Sequence, residues 1–307
     1  MRVSRHSSAA APTVIAVGSF DGVHLGHAAL FECVVARARE NGLASAVVTF
    51  DPLPREYLAP EQAPARLSSL HERLACIART GIETAFVERF DARFAALSAE
   101  DFHLRLRDHY RARRIVIGEN FRYGTRRAGD ALSLASAGKS FGFEAEVMSA
   151  VTLDGESISS TRVRAALARA DFAAAARLLG RPYAIEGRVI HGAKRGRGLG
   201  FPTVNVRLGR PKAALHGIFA VRCHGAATRG LEGVASLGIN PAVQRGGPAT
   251  LEAFLFDFSG DLYGRRLSIE FLKKLREEAH FASLDELAAQ IRRDCEAARE
   301  YFRACGT

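Results

Sequence analysis

Two histidines three residues apart, His24 and His27, close the segment GSFDGVHLGH at 18–27, in which Gly18, Gly22 and Gly26 punctuate the chain. An apolar run, TVIAV, precedes this segment and an amphipathic stretch follows it, so the pattern reads strand, glycine turn, helix start. In that setting His24 and His27 project from one face beside the positive helix N-terminus, where backbone N–H groups already favour phosphate. The glycines let the backbone approach an anion closely. An HxxH pair alone is more often structural. Strand, glycine turn, histidine pair and helix start together point to a nucleotide phosphate site on this segment, Ser19, Phe20 and Asp21 included.

Three further stretches carry chemistry. SISSTRVRAAL at 157–167 sets the hydroxyls of Ser159, Ser160 and Thr161 ahead of Arg162 and Arg164 in a first helical turn. Alone it is a Ser/Thr N-cap. Beside the histidine turn it supplies the second group of donors that a triphosphate needs on its other side. HGAKRGRGLGFPTVNV at 191–206 is basic and glycine-rich, with Lys194, Gly196, Gly198 and Gly200, but lacks the GxxxxGK[ST] order of a P-loop. It reads either as a surface loop or as a polyphosphate wrap whose Thr203 and Asn205 suit magnesium's preference for oxygen. Glu252, within the apolar strand TLEAFLFDF, reads by itself as an edge-strand carboxylate facing water.

The elements that must position these residues fall into two rhythms. From 13 to about 180, apolar runs (TVIAVGSF, SAVVTF, TAFVERF, RIVIGE) alternate with amphipathic stretches, which predicts a doubly wound, Rossmann-like parallel sheet with ligands outside the carboxyl ends of its strands. Capping-box spacing at Ser69/Glu72 and Ser98/Asp101, with Gly42 and Gly81 after helices, supports the alternation. After RLLGRPY at 177–183 the pattern turns to strand after strand: YAIEGRVIHG, GIFAVRCHG, EGVASLGI, TLEAFLFDF and RRLSIEFL. That predicts an antiparallel β-barrel, followed by a capped amphipathic helix from Ser283 to 302 that packs on it. The boundary is a short hinge near 182, giving domains 1–182 and 183–307.

Composition bounds the rest. At 307 residues, 48% hydrophobic and 25% charged, the chain is long enough for two cores and is ordinary for a globular protein. No segment is apolar enough to span a bilayer, and the opening apolar run is too short for a signal sequence. Five scattered cysteines (Cys33, Cys76, Cys223, Cys295 and Cys305) form neither a CxxC pair nor a disulfide framework, so a cytoplasmic, membrane-free location is expected. The net charge of +10 rests on 38 Arg against 5 Lys spread along the chain, which suits an anionic small substrate as well as it would nucleic acid. No nucleic-acid partner is expected, and no motif specifies an oligomeric state.

Over nearly its whole length the sequence resembles the bacterial bifunctional riboflavin kinase and FAD synthetases. GSFDGVHLGH is similar to that family's nucleotidyltransferase histidine motif and ISSTRVR to its second ATP motif; TFDPLPRE at 49–56 and IGENFRYGTRRAG at 117–129 also match. The resemblance implies adenylyl transfer from ATP to FMN in the first domain, giving FAD and pyrophosphate. His24 and His27 would contact the ATP phosphates, Arg164 and its neighbouring hydroxyls the far side, and Asn120 the flavin cleft. KRGRGLGFPTVN resembles the flavokinase signature, which implies that Thr203 and Asn205 meet Mg2+ and ATP. It further implies that Glu252 is the general base for riboflavin phosphorylation, with Arg276 beside the flavin. The family pattern is broken at Leu53, where His is usual, and at Ser236, Asn240, Ala242 and His280, usually Asn, Arg, Thr and Lys. Because most departures cluster in the barrel, the alternative to a full bifunctional enzyme is an adenylyltransferase with a weakened or analogue-specific kinase. A flavin- or RNA-binding regulator is the non-enzymatic reading, and the intact histidine motif argues against it.

Overall fold

The computed structural model describes residues 1–192, 200–239 and 249–306. They form two compact units, one of Met1–Pro64 with Leu70–Ser160, the other of Ala65–Ser69 with the chain from Thr161 onward.

In the first unit six parallel strands, β1 (Arg2–Ser4), β2 (Thr13–Val17), β3 (Ala44–Phe50), β4 (Thr84–Glu88), β5 (Ala112–Gly118) and β6 (Glu144–Met148), lie in the order β1-β4-β3-β2-β5-β6. Helices α1 (Leu25–Asn41), α2 (Leu70–Ala78), α3 (Ala99–Asp108) and α4 (Ala131–Phe141) connect them. Side chains alternate across a strand, so the central β2 feeds both faces: Val14 and Ala16 pack with Phe31, Val34 and Ile77, while Ile15 and Val17 pack with Phe102, Leu106 and Tyr110. That is why β2 reads as an unbroken apolar run. Gly42 ends α1 at φ 62°, its N–H donating to the Ala38 and Arg39 carbonyls, and Ser98 caps α3 by accepting from Asp101 N at 3.0 Å. Two strands, β1 and β6, lie outside the sequence-based expectation. Both are edges, and neither carries an apolar run: β6 alternates Glu144 and Glu146 with Ala145 and Val147, and Glu146 pairs with Arg37.

In the second unit α5 (Ser160–Ala168, all but its first residue) and α6 (Phe172–Leu179) lead into β7 (Ala184–Ile190), β8 (Thr203–Val206), β9 (Gly217–His224), β10 (Leu231–Ile239), β11 (Ala249–Leu255) and β12 (Arg266–Arg276). These close into an antiparallel barrel of order β7-β8-β11-β10-β9-β12. The sixth strand, β8, comes from the PTVN end of the glycine-rich stretch, beyond the five strands that the apolar pattern predicts. The terminal helix α7 (Leu284–Ala304) is capped by Ser283 accepting from Glu286 N and lays Cys295, Ala298 and Phe302 against Ile218, Ala220 and Val234 of the barrel. The short segment Ala65–Ser69 is built into this unit rather than the first. Arg66 bridges to Ala213, Arg164 Nε donates to the Ala65 carbonyl at 2.7 Å, and the buried Arg210 donates to the Leu67 carbonyl at 2.8 Å and to Tyr183 Oη at 3.3 Å.

Candidate active sites

In the first unit the strand order reverses between β2 and β5, and an open α/β sheet offers its ligand crevice at that switch point. A crevice of about 290 Å³ lies there, at the carboxyl ends of the two strands. Gly18, Ser19, Phe20, Asp21, His24, Gly26 and His27 line one wall, and Gly118, Asn120 and Ser160 lie among the other lining residues. Gly22 completes the turn at φ 83°.

The turn is strained: Phe20 and Val23 sit at φ 50° and 43°, in the left-handed region, at a cost of about 1–3 kcal/mol each. Val23, being β-branched, is the more unusual of the two. Such strain persists only where the surroundings over-determine it. Here they do. Arg73 Nη1 and Thr49 Oγ1 donate to the Ser19 carbonyl at 2.6 and 3.3 Å, and Ser160 Oγ donates to the Asp21 carbonyl at 2.9 Å. Gly18 is required because a Cβ there would stand 2.8 Å from the Phe20 ring. That ring, in turn, meets His27 edge-on, with centroids 5.3 Å apart.

His24 and His27 stack with ring centroids 3.7 Å apart and planes 18° from parallel, His24 being the N-cap residue of α1. Gly26 leaves room for the stack, since a Cβ would come within 3.2 Å of the His24 ring. His27 Nδ1 is buried and has no hydrogen-bond partner among the described residues. Burial, then the neighbouring His24 and Arg73, push the His27 pKa well below its ordinary 6.5. Its imidazole is therefore neutral in the free protein and enters as a hydrogen-bond donor or acceptor rather than as a fixed charge.

Burial also lowers His103, which bonds Tyr123 Oη at 2.7 Å, and His109, where Arg105 adds to the effect. In the unfolded chain all three titrate near 6.5. Below that pH the unfolded state binds more protons than the native one, so stability falls as pH falls through about 6.5 toward the native values. The protection of amides in peptides from residues 13–118, taken as exchange relative to the intrinsic rate at each pH, is accordingly expected to fall between pH 7.5 and 5.5, and His27→Gln to flatten that dependence. An unchanged slope in the variant would remove His27 from the account.

The other predicted nucleotide residues are distributed as follows. Ser159 is half-buried just before α5 and Ser160 opens the helix. Thr161, Arg162 and Arg164 continue it within the second unit, where Arg164 holds the Ala65 carbonyl. Asn120 is exposed at the crevice. Leu53, the departure from the histidine pattern, is buried, with its N–H on Glu56 Oε2 at 3.0 Å. Arg73 and Thr49 were missed by sequence reasoning. The available signal was that Arg73 falls on the apolar stripe Leu70, Leu74, Ile77 of α2.

The barrel presents a second site. Across three adjacent strands Asn205 of β8, Glu252 of β11 and Ser236 of β10 are direct cross-strand partners. Such partners share one face of the sheet. Thr203, two residues before Asn205 on the same face, donates to Glu252 Oε2 at 3.4 Å. Gly192 adjoins the Asn205 amide so closely that any side chain there would collide with it. Thr203, Ser236 and Glu252 open onto a cavity of about 560 Å³ between the barrel and α7, bordered also by Arg276, Glu278 and His280. Arg276 is clamped by the buried Asp294 through Nε and Nη2 at 2.8 and 2.7 Å, and Ser236 Oγ donates to Glu278 at 3.4 Å. The flank beyond Thr203 holds a further cavity of about 600 Å³ lined by Val189, Phe258, Asp261 and Tyr263. Gly200 turns at φ 83° ahead of Thr203. Lys194, Gly196, Gly198, Asn240 and Ala242 lie outside the described residues.

Among the described residues no three His, Cys, Asp or Glu side chains are grouped to hold a metal. Thr203 and Asn205 instead offer a hydroxyl and an amide oxygen beside the carboxylate of Glu252. Two neutral oxygen donors fit magnesium arriving with a nucleotide's phosphates rather than a resident ion.

Comparison with known proteins agrees in both halves. A family model described as FAD synthetase matches residues 6–162, and one described as riboflavin kinase matches 179–302. The chain is 44% identical over 290 residues to the bifunctional riboflavin kinase/FMN adenylyltransferase of Escherichia coli K12, covering 94% of this chain and 92% of that one. It is 45% identical over 287 residues to the protein of that name from Pseudomonas fluorescens, covering 93% and 92%. A crystal structure from Streptococcus pneumoniae, described as a macrolide-efflux protein, superposes with a TM-score of 0.78 at 29% identity over 97% of this chain and 99% of that one. Among the described residues of the present chain, no helix is long and apolar enough to cross a membrane.

Proposed function

The chain belongs to the bifunctional riboflavin kinase/FMN adenylyltransferase family, whose two activities take riboflavin to FMN and FMN to FAD, and from that premise we propose how its residues divide the work. The functional boundary falls between residues 182 and 183, with adenylyl transfer before it and phosphorylation after it. In the first reaction a phosphate oxygen of FMN attacks the α-phosphorus of ATP and pyrophosphate leaves, so no covalent intermediate on the protein is needed. The buried, unpartnered His27 Nδ1 at the switch-point crevice carries this assignment. With His24, the first N–H groups of α1 and the 18–22 turn, it aligns the triphosphate and stabilises charge on its oxygens. Ser159, Ser160, Thr161, Arg162 and Arg164 serve the far side of the nucleotide, and Asn120 the flavin side.

In the second reaction Glu252 takes the proton from the ribityl hydroxyl of riboflavin as that oxygen attacks the γ-phosphorus of ATP, and ADP leaves. Thr203 and Asn205 would hold magnesium beside it. When bound, that ion neutralises phosphate charge. Lys194, Gly196, Gly198 and Gly200 belong to the nucleotide wrap, and Arg276, oriented by Asp294, borders the flavin. Five free cysteines, two of them with thiol pKa values raised by burial to about 11, suit a reducing cytoplasm.

Thr203→Ala tests the metal assignment. In reactions started separately with riboflavin and with FMN, it is expected to raise the apparent KM for MgATP only in the riboflavin reaction, by about tenfold for the loss of one charge-assisted contact of about 1.5 kcal/mol. An unchanged KM, or an equal change in both reactions, refutes the assignment.

A further inference from the structure

Arg73 is one of the most deeply buried side chains of the first unit, only 1% exposed, yet it carries a permanent charge. Its two Nη atoms reach different elements: Nη1 donates to the Ser19 carbonyl at 2.6 Å and Nη2 to the Phe50 carbonyl at 2.8 Å. The first acceptor belongs to the histidine turn and the second closes β3. We propose that Arg73 is a positioning residue for adenylyl transfer, fixing the 18–24 turn in the shape that presents His27 and the first N–H groups of α1 to the triphosphate. This rests on the reading that His27 meets the nucleotide.

A peptide unit is planar, so holding the Ser19 carbonyl fixes the plane that enters Phe20. Phe20 is a strained residue of the turn, and its ring edge abuts His27. A shift at Ser19 therefore reaches His27 through a single side chain. Thr49 Oγ1 also donates to Ser19, but at 3.3 Å and without charge, and Ser160 fixes only the Asp21 carbonyl. Arg73 ties the turn to the end of β3 through one side chain, and a guanidinium fork suits two divergent carbonyls where a point charge does not.

Electrostatics separates positioning from mere support. The charged and titratable groups that face His27 are His24 from the start of its own helix and Arg73 from α2, and both disfavour its protonation. Removing the charge at 73 should ease protonation of His27, whereas Arg73→Lys keeps the charge while losing the fork.

The test uses the full-length protein and three variants, Arg73→Lys, Arg73→Met and His27→Gln. Kinetics of FMN adenylylation are measured with riboflavin phosphorylation as the internal control, and histidine ring protons are titrated by NMR without nucleotide, His27 being assigned by its disappearance in His27→Gln. Arg73→Lys is expected to lower kcat for adenylylation by about tenfold to a hundredfold, as misplacements near 1 Å do, with the His27 midpoint unmoved. Arg73→Met is expected to lower kcat further and to move the His27 midpoint to higher pH. Riboflavin phosphorylation should hold in both. If Arg73→Met does not fold, the Lys variant decides through kcat. Wild-type adenylylation in both Arg73 variants, a loss shared by both reactions, or a His27 midpoint unmoved in Arg73→Met would overturn the inference. Wild-type adenylylation in His27→Gln would instead overturn the histidine assignment on which it rests.

Discussion

Replacing His27 by alanine is expected to slow FAD formation from FMN by about two to three orders of magnitude, the loss seen when one preorganised donor to a developing oxyanion is removed. Riboflavin phosphorylation by the same protein should continue unchanged, because its proposed residues lie on the barrel strands β8, β10 and β11. Truncating the ring leaves a space beside Phe20 and ends the stack with His24. The folded state is expected to survive, since His27 is uncharged and its Nδ1 makes no hydrogen bond that would be lost. Separating flavins by chromatography after incubation with FMN, ATP and magnesium, and in parallel with riboflavin, reads both reactions. If both stop together in a protein whose circular dichroism is native, the assignment of two independent sites is wrong.

Glu252→Gln is the counterpart in the barrel. The amide keeps the side chain's shape and can still accept from Thr203, but it cannot take a proton, so kcat for riboflavin phosphorylation should fall by about 10² to 10⁴. Nucleotide binding, measured by calorimetry with ADP and magnesium, should persist. That separates Glu252→Gln from Thr203→Ala, where the loss appears in affinity. FMN adenylylation should be untouched. Near wild-type FMN production by the Gln variant would eliminate Glu252 as the base and leave it as a neighbour of the true one.

The parts of this molecule that were legible in its sequence are those where a local rule is also the global one. Val14 to Val17 are apolar without interruption because both faces of the central parallel strand are buried, and Gly42, Ser98 and Ser283 mark helix ends by chemistry confined to one turn. The histidine motif was legible for the same reason, since glycine turn, N-cap and phosphate donors lie within ten residues. Arg73 was not. Its importance comes from carbonyls 54 and 23 positions away in sequence, and nothing near it announces them. The edge strand β6 was missed because glutamates paired with Arg37 and Arg114 replace the apolar residues of an inner strand. The strand β8 was missed because it is four residues long and follows directly on a glycine-rich loop, so that its hydrogen bonding to β7 and β11 defines it rather than its composition. Arg276 was assigned to flavin from family likeness, and only the structure reveals the carboxylate of Asp294 that orients it.

The segment Ala65–Ser69 has a consequence for biosynthesis. During translation it leaves the ribosome early, but Tyr183 and Arg210, which hold the Leu67 carbonyl, follow 116 and 143 positions later. At roughly 5–20 residues per second that interval lasts about 6 to 30 seconds. In its later part, once Met148 has emerged, a nascent chain can already have made β1 to β6 while five residues looped out between Pro64 and Leu70 still await their partners. The segment is a timer of sorts, in that its docking reports that synthesis has passed Arg210. On a stalled or truncated chain it would remain an open loop, accessible to a protease that the finished protein resists.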